Sequence, residues 1–263
     1  MDDLRDLRIV VTRPRSQAEE FARRLRERGA RAICFPVIQI APLEDYTELD
    51  VALQQIASYD WLIMTSANGV ESVWKRFSAL GISPALDGVQ VAAIGPKTAA
   101  ALERRGITPA FVPDEYVAEA ILPGLGELNR RRFLLTRADL ARPALATALR
   151  DAGGVVDDLD AYRTMPERPD REGLGEILAG VDYVTFTSSS TVDHFVRLIR
   201  QQGLDPQSLP GDPVIACIGP ITAAAAEKAG LQVGVAPNSY TTEGLIEAMA
   251  AFNRSVKVDM KWA

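Results

Sequence analysis

The chain has 263 residues, 47% of them hydrophobic and 24% charged, a composition that is typical of a folded globular protein. This length suits two domains of about 130 residues each. Its 29 basic and 35 acidic residues give a formal net charge of −6, which argues against a protein that holds nucleic acid by nonspecific phosphate contacts. An anionic small molecule is compatible with this charge, because backbone N–H groups bind anions without changing it.

The histidine and cysteine content excludes several kinds of site. His194 is the single histidine, so zinc sites built on two or three histidines cannot form within one chain, and we expect it at a surface or cap position of a helix. Cys34 and Cys217 lie in apolar surroundings and indicate buried thiols of a reducing compartment. The charged N-terminus lacks an apolar signal region, and no stretch approaches the roughly 18 apolar residues of a membrane span. We therefore expect a cytoplasmic protein without a metal site.

Short β-rich apolar runs alternate with helical patterns along the whole chain. The predicted strands, in order, are 8–12, 31–36, 60–64, 89–93, 132–136, 154–159, 182–186 and 213–217. The predicted helices are 15–29, 46–57, 67–79, 96–105, 116–122, 141–152, 172–179, 189–202, 220–229 and 240–251. Such alternation implies right-handed βαβ crossovers and an α/β fold with mostly parallel sheets.

The chain also repeats itself. The strand-to-loop run at 9–13 returns at 133–137, a shift of 124, and the run at 59–66 returns at 181–188, a shift of 122. The segment 93–99 returns at 217–223, again shifted by 124. Matches in the same order at nearly one offset predict two similar lobes, each a parallel sheet flanked by helices.

Two segments, 37–45 and 160–170, each follow the second strand of a copy and end in proline and charge, so we interpret them as matched linkers. If both cross between lobes, lobe one contains 1–36 plus 170–263, lobe two contains 44–160, and the linker strands are 37–43 and 161–169. The alternative places each repeat in its own lobe, with a cut near residue 128. The repeat alone leaves both arrangements open.

The tail 253–263 has its own pattern. Val256, Val258, Met260 and Trp262 alternate with polar residues, which predicts a strand or the start of another segment, with a frayed end as the alternative.

The loops that follow the predicted strands are rich in hydroxyls and glycine, and each opens a helix whose free N–H groups point outward. Ser and Thr are good helix caps, which explains any single loop, but six such loops favour a polar cleft for an oxygen-rich or anionic ligand. The candidate binding residues are Thr12, Arg13, Thr65, Ser66, Ala67, Asn68, Gly95, Thr98, Thr187, Ser188, Ser189, Gly219 and Thr222.

Three further side chains are candidates for chemistry. Arg13 and Arg137 are either cations facing a ligand or partners of nearby carboxylates, and the sequence does not decide between these roles. Tyr162 places a hydroxyl on the second linker, where it either faces a cleft or packs on the nearest lobe. No nucleophile elbow, Walker loop or dinucleotide fingerprint accompanies them, so hydrolase, kinase and dinucleotide-binding functions lack support.

The chain resembles the uroporphyrinogen-III synthase family over residues 8–252. The resemblance rests on Val-Thr-Arg-Pro at 11–14, Asp-Trp-Leu-Ile-Met-Thr-Ser-Ala-Asn-Gly at 60–69, Ile-Gly-Pro-Lys-Thr-Ala at 94–99, Ala-Tyr-Arg-Thr at 161–164, Phe-Thr-Ser-Ser at 186–189, Ile-Gly-Pro-Ile-Thr-Ala at 218–223 and Pro-Asn-Ser-Tyr-Thr-Thr-Glu-Gly-Leu at 237–245. It implies the crossed-over lobes and a cofactor-free lyase of porphyrin biosynthesis that dehydrates and cyclises hydroxymethylbilane to uroporphyrinogen III, inverting the terminal pyrrole.

The resemblance further implies that Tyr162 assists departure of the hydroxyl group and that Thr65, Ser66, Thr98, Ser188 and Thr222 line the cleft. The expected partners are hydroxymethylbilane, which carries eight carboxylates, and hydroxymethylbilane synthase as the enzyme that hands it over. No nucleic-acid or membrane partner is expected, and we expect a monomer. The alternative function is a non-catalytic, two-lobed intracellular sensor of a small anion.

Overall fold

The structure is a computed structural model that describes residues 3–113, 118–141, 143–168 and 170–259. Its contacts divide the chain into two compact units: unit 1 comprises Met1–Gln39 and Met165–Ala263, and unit 2 comprises Ile40–Thr164. The two boundaries fall inside the segments 37–45 and 160–170, and no boundary falls near residue 128.

The strands and helices follow each other as the alternating pattern predicts. The strands are β1 (Arg8–Val11), β2 (Arg31–Cys34), β3 (Ile38–Ala41), β4 (Trp61–Met64), β5 (Gln90–Ala93), β6 (Arg132–Ala138), β7 (Val155–Pro166), β8 (Tyr183–Phe186), β9 (Val214–Cys217) and β10 (Val233–Val235). The α-helices are α1 (Arg15–Glu27), α2 (Thr47–Gln54), α3 (Ala67–Leu80), α4 (Pro96–Glu103), α5 (Ala144–Asp151), α6 (Arg171–Leu178), α7 (Ser189–Gln201), α8 (Pro220–Lys228) and α9 (Thr242–Asp259), with 3₁₀ turns at Ile56–Ser58 and Ala118–Leu125.

Each sheet combines strands from both copies of the repeat. In the described part of the chain, one sheet has the order β10-β9-β8-β1-β2 and the other has the order β3-β7-β6-β4-β5. The first two strands of the first copy pair in parallel with the later strands of the second copy, through β1 and β8. The first two strands of the second copy pair with the later strands of the first, through β6 and β4. The chain is therefore an α/β protein with two parallel sheets and crossed connections.

An aspartate at the corresponding position of each repeat joins neighbouring strands in its sheet. Asp182 Oδ2 accepts a hydrogen bond of 2.7 Å from the backbone N–H of Arg8, and Asp60 Oδ2 accepts one of 2.7 Å from the backbone N–H of Arg132. This bond is the largest influence on the carboxyl of Asp60 and lowers its pKa. The two aspartates therefore occupy equivalent positions at the start of equivalent strands.

Strands rich in apolar residues are buried on both faces, as parallel sheets require. All four residues of β4 and all four of β8 are buried. In unit 1, the ring of Phe195 on α7 contacts Phe186 edge-on with centroids 5.3 Å apart and Phe35 with centroids 6.2 Å apart. These aromatic rings fix α7 against the sheet.

The two segments predicted as linker strands both contain strand structure. β3 occupies 38–41, and β7 continues through Tyr162 to Pro166, because a register shift after Arg137 lets Ala138 pair with Tyr162. The linker strand predicted over 161–169 is thus continuous with β7 as far as Pro166. Tyr162 lies on a strand of the second sheet.

Three expectations differ from the structure. Residues 118–125 form 3₁₀ turns where the pattern predicted an α-helix over 116–122, of which 116 and 117 lie outside the described residues. Helix α9 continues to Asp259 where alternation predicted a strand, and Met260 and Trp262 lie outside the described residues. His194 is buried on α7, with 8% of its surface exposed, because it lies on the inner side of that helix; the expected surface or cap position is wrong.

We expect Gly244→Ala to destabilise the protein by about 1–3 kcal/mol. A Cβ at this position on α9 would lie 2.2 Å from the backbone oxygen of Ser239, which cannot move without distorting the turn. The matched control is Gly175→Ala on α6, where a Cβ would meet nothing within 4 Å, and alanine should stabilise by about 0.5–1 kcal/mol. Urea unfolding of both variants checks this, and equal stabilities would contradict it.

Candidate functional site

The carboxyl ends of parallel strands meet at one edge of a sheet, and in unit 2 this edge carries two helix starts. Ser66 follows β4 and caps α3, since its Oγ accepts a hydrogen bond of 3.0 Å from the backbone N–H of Gly69. Gly95 follows β5 and caps α4 with φ of 85°, a left-handed conformation that favours glycine, and Pro96 begins the helix. The edge therefore presents the N–H groups of two first turns.

Tyr162 lies at this edge beside α3. Its Oη is 3.1 Å from Ser66 Oγ, and 6% of the residue is exposed. Burial raises the pKa of Tyr162 above its ordinary value, against the smaller lowering effect of hydrogen bonds from Ser66 and Asn68. The phenol is therefore protonated at neutral pH, with its oxygen already engaged by a helix cap.

Asp139 holds the strand that carries Tyr162. Its Oδ1 accepts a hydrogen bond of 2.9 Å from the backbone N–H of Thr164, and its own N–H donates to the carbonyl of Tyr162 at 3.1 Å. Sequence reasoning missed this residue, because the partners lie more than 20 positions away and no spacing links them. Asp139 positions the backbone of Tyr162.

The other candidates of unit 2 differ in what their side chains contact. Thr65 Oγ1 donates to the carbonyl of Thr136 at 3.1 Å, and Thr98 Oγ1 donates to the carbonyl of Ile94 at 3.1 Å. Both hydroxyls stabilise local backbone. Ala67 and Asn68 are the first residues of α3 and are half-buried, and their backbone N–H groups lie in its first turn.

In unit 1 the carboxyl edge carries the starts of α1, α7 and α8. Ser188 caps α7 by accepting from the backbone N–H of Thr191 at 3.3 Å, and the side chain of Thr191 accepts in return from Ser188. Thr187 and Ser189, on either side of this cap, are half-buried. Gly219 is the extended cap of α8, where a Cβ would lie 3.1 Å from the ring of Tyr240. Thr222, in the first turn of α8, is buried with 5% exposed.

The side chain of Thr12, which follows β1, lies inside the sheet of unit 1. It is fully buried, and its Oγ1 donates to the carbonyl of Thr185 at 2.7 Å while Thr185 Oγ1 donates to the carbonyl of Val10 at 2.6 Å. The two hydroxyls join neighbouring strands β1 and β8. The hydroxyl of Thr12 is therefore engaged within the sheet, and contact between this residue and a ligand stays a prediction.

Two kinds of feature are absent from the described residues. No cluster of three or more histidine, cysteine, aspartate or glutamate side chains is arranged there to hold a metal ion. No helix in that part of the chain has the length and apolar character needed to cross a membrane.

Comparison with known proteins gives one consistent family. The family model of uroporphyrinogen-III synthase HemD matches residues 19–247. The chain is 32% identical over 251 residues to the uroporphyrinogen-III synthase of Synechococcus elongatus, covering 94% of this chain and 95% of the relative. It is 28% identical over 250 residues to that of Chlorobaculum parvum, covering 92% and 97%.

Solved structures share the fold. A mutant uroporphyrinogen III synthase from Thermus thermophilus matches with a TM-score of 0.64 at 24% identity, covering 95% of this chain and 99% of that one. The uroporphyrinogen-III synthetase of Helicobacter pylori matches with a TM-score of 0.60 at 18% identity, covering 94% and 99%. Since the family match and the relatives cover almost all of its length, this chain belongs to the uroporphyrinogen-III synthase family.

Proposed function

We propose that this protein is a uroporphyrinogen-III synthase, a cyclising hydro-lyase that converts hydroxymethylbilane into uroporphyrinogen III and water. The observation that carries the chemical part of the proposal is the protonated phenol of Tyr162, bonded to Ser66 at the start of α3. It offers a proton donor at the sheet edge where ligands of open α/β folds bind.

The first step is loss of the hydroxyl group. The nitrogen of the pyrrole that carries the hydroxymethyl group donates its electron pair into the ring, and the carbon–oxygen bond breaks. The hydroxyl takes a proton or a strong hydrogen bond as it leaves as water. The resulting azafulvene carbon is attacked by the substituted carbon of the last ring, which gives a spiro intermediate. The bond between the spiro carbon and its original methylene bridge then breaks, which leaves that methylene as an azafulvene carbon on the neighbouring ring. The unsubstituted α-carbon of the last ring attacks this methylene and loses its proton, which completes the inverted macrocycle.

Tyr162 is the group that we assign to the departing hydroxyl. Because Ser66 Oγ accepts from the Gly69 N–H, its own proton is available for the phenol oxygen 3.1 Å away. The proton of Tyr162 is then directed to the substrate. Ser66 acts in this proposal as a positioning residue that keeps the phenol oriented.

Binding of the polycarboxylate follows from the helix starts, because first-turn N–H groups and the helix dipole attract anions. We assign this role to the loops of Thr65, Ser66, Ala67, Asn68, Gly95 and Thr98 in unit 2 and of Thr187, Ser188, Ser189, Gly219 and Thr222 in unit 1. The bound chain is held bent, and positioning of the reacting carbons supplies most of the remaining acceleration.

The finer biological assignments are part of the same proposal. The protein acts in the cytoplasm as a monomer, requires no cofactor and receives hydroxymethylbilane from hydroxymethylbilane synthase. Sedimentation at assay concentration tests the monomer, and a stable dimer would contradict it.

The pH dependence should reflect the buried phenol. Because the raised pKa of Tyr162 keeps it protonated, we expect turnover to show no alkaline loss until the pH exceeds about 10. A group that acts in its protonated form loses its contribution only as the pH rises through its pKa, so turnover should fall on the alkaline side. Single-turnover rates across this range check the prediction. An alkaline limb near pH 8 that is absent from Tyr162→Phe would contradict it.

A complementation experiment tests the function in cells. A bacterium that lacks its own uroporphyrinogen-III synthase and grows only with supplied haem should grow without haem when it expresses this chain. The control is the same strain with an empty vector. Accumulation of folded protein without growth would contradict the proposed function.

A further inference from the structure

The repeat places an arginine at the same position in both copies, Arg13 after β1 and Arg137 near the end of β6. Their numbers differ by 137 − 13 = 124, the offset that relates the two copies. Equivalent residues in a duplicated fold start from the same backbone geometry, so a difference between them must come from their neighbours.

Arg137 is neutralised within its own sheet. Its Nε lies 2.5 Å from Asp158 Oδ1 and its Nη1 lies 3.4 Å from Asp160 Oδ1. Nη1 also donates to the carbonyls of Ala138 and Ala141. Both aspartates lie on the neighbouring strand β7, so the guanidinium of Arg137 is already paired with groups of its own unit.

Arg13 lacks both of these carboxylates. At the same offset, Cys34 corresponds to Asp158 (158 − 124 = 34) and Pro36 corresponds to Asp160 (160 − 124 = 36). Among the residues that the structure describes, no carboxylate oxygen lies within 4.0 Å of Arg13. Its Nη2 donates to the neutral side chain of Gln17, and its buried Nε finds no hydrogen-bond partner in the described part of the chain.

Burying a cation with an N–H donor that has no acceptor costs free energy, and an anion that accepts from this donor removes the cost. Burial lowers the pKa of Arg13, which reports the same desolvation, yet a guanidinium remains charged. It lies one residue before Pro14, the cap of α1, which offers no side-chain oxygen to the first turn. The planar guanidinium of Arg13 is suited to a carboxylate, which it can bind through two parallel hydrogen bonds.

We propose that Arg13 binds a carboxylate of the tetrapyrrole substrate, and that Arg137, its equivalent in the repeat, serves only the sheet of unit 2. This inference rests on the proposed function, since it assigns one of the substrate's carboxylates to a single side chain. It makes Arg13 a specificity residue for polycarboxylate pyrroles, with no part in proton transfer.

The test compares Arg13→Gln, Arg13→Lys and Arg137→Gln in steady-state assays with enzymatically generated hydroxymethylbilane. Arg13→Gln should raise KM about 10- to 100-fold and leave kcat within about threefold, because the lost bond is to a charged group and is made in the ground state. Lysine keeps the positive charge but lacks the planar pair of N–H donors, so KM of Arg13→Lys should lie between those of the wild type and Arg13→Gln. We expect KM of the wild type to rise with salt, and this rise should be weaker in Arg13→Gln.

Arg137→Gln is the matched control. It should leave KM unchanged and lower Tm, because Asp158 and Asp160 lose their partner. A wild-type KM in Arg13→Gln, or an equal rise of KM in both glutamine variants, would overturn the inference. If Arg13→Gln does not fold, a wild-type KM in Arg13→Lys would overturn it equally.

A binding measurement separates this inference from the proposed function. Uroporphyrin III, an octacarboxylate, is titrated against the wild type and Arg13→Gln, with porphyrin fluorescence as the readout. Weaker binding to the variant supports the carboxylate site even if the wild type forms no uroporphyrinogen III, whereas equal affinities, or no binding to the wild type, would overturn it.

Discussion

Replacing Tyr162 by phenylalanine should lower turnover by roughly 10- to 10⁴-fold while the protein folds normally. The change removes one oxygen atom from a residue that is 6% exposed and leaves its ring packed in the core of unit 2. The lost hydroxyl is the one that we assign to the leaving water, and its partner Ser66 still has the Gly69 N–H as a hydrogen-bond donor. The effect should therefore appear in kcat, with little change in KM.

The matched control is Tyr183→Phe. Tyr183 is also a buried strand tyrosine, with 3% exposed, and burial raises its pKa to about 12, but it lies on β8 at the start of the strand. Its loss of one hydroxyl should leave turnover unchanged.

Thr222→Ala should lower turnover less than Tyr162→Phe does, since the backbone amides at the start of α8 remain. Wild-type turnover in Tyr162→Phe would contradict the assigned role.

Phe195→Ala should lower the free energy of unfolding by about 3–5 kcal/mol, the range for a large aromatic residue removed from a core. Phe195 is fully buried on α7 and contacts both Phe35 and Phe186 edge-on. Removal leaves a cavity between the helix and the sheet and ends two aromatic contacts. Ser188, one of the proposed binding residues, caps the same helix, so turnover should be lost as the variant unfolds.

Phe195→Leu and Leu178→Ala bracket this prediction. Leucine refills most of the volume, and the loss should be well below that of alanine. Leu178 is 46% exposed in the same unit, so its truncation should change stability by no more than about 0.5 kcal/mol. Urea unfolding monitored by circular dichroism measures all three. A loss in Phe195→Ala no larger than that in Leu178→Ala would contradict the packing described for α7.

Much of the fold could be predicted because its buried strands are short apolar runs with clear ends. The run at 60–64 is the strand Trp61–Met64, and the run at 213–217 is Val214–Cys217. The duplicated motifs also predicted two similar α/β halves. These features are local or repeated, so one sequence contains them.

The parts that sequence reasoning missed depend on distant partners. The strand predicted over 154–159 continues as β7 to Pro166, and this continuation depends on pairing with β6 through a register shift between Arg137 and Ala138. β10 has three residues, and its pairing with β9 defines it. Val256 and Val258 alternate with polar residues as in a strand, but they lie on α9, which continues to Asp259.

The kinds of residue at the candidate site could be predicted from the sequence, but the contacts that their side chains make could not. A threonine at the end of a strand is equally able to face a ligand or a neighbouring strand, and Thr12 does the latter. Ser66 and Tyr162 are 96 positions apart, so their hydrogen bond could not be inferred from spacing. The roles of Arg13 and Arg137 separate only once β7 is known to carry the aspartates that neutralise one of them.

The most direct measurement of the proposed function is the isomer of the product. Purified protein is incubated with hydroxymethylbilane generated by hydroxymethylbilane synthase, the products are oxidised, and the two uroporphyrin isomers are separated by chromatography. A parallel reaction without the protein gives the spontaneous product, isomer I. We predict that isomer III predominates and that its share rises with the amount of protein added. Isomer I alone, at every concentration of folded protein, would contradict the assignment of this chain as a uroporphyrinogen-III synthase.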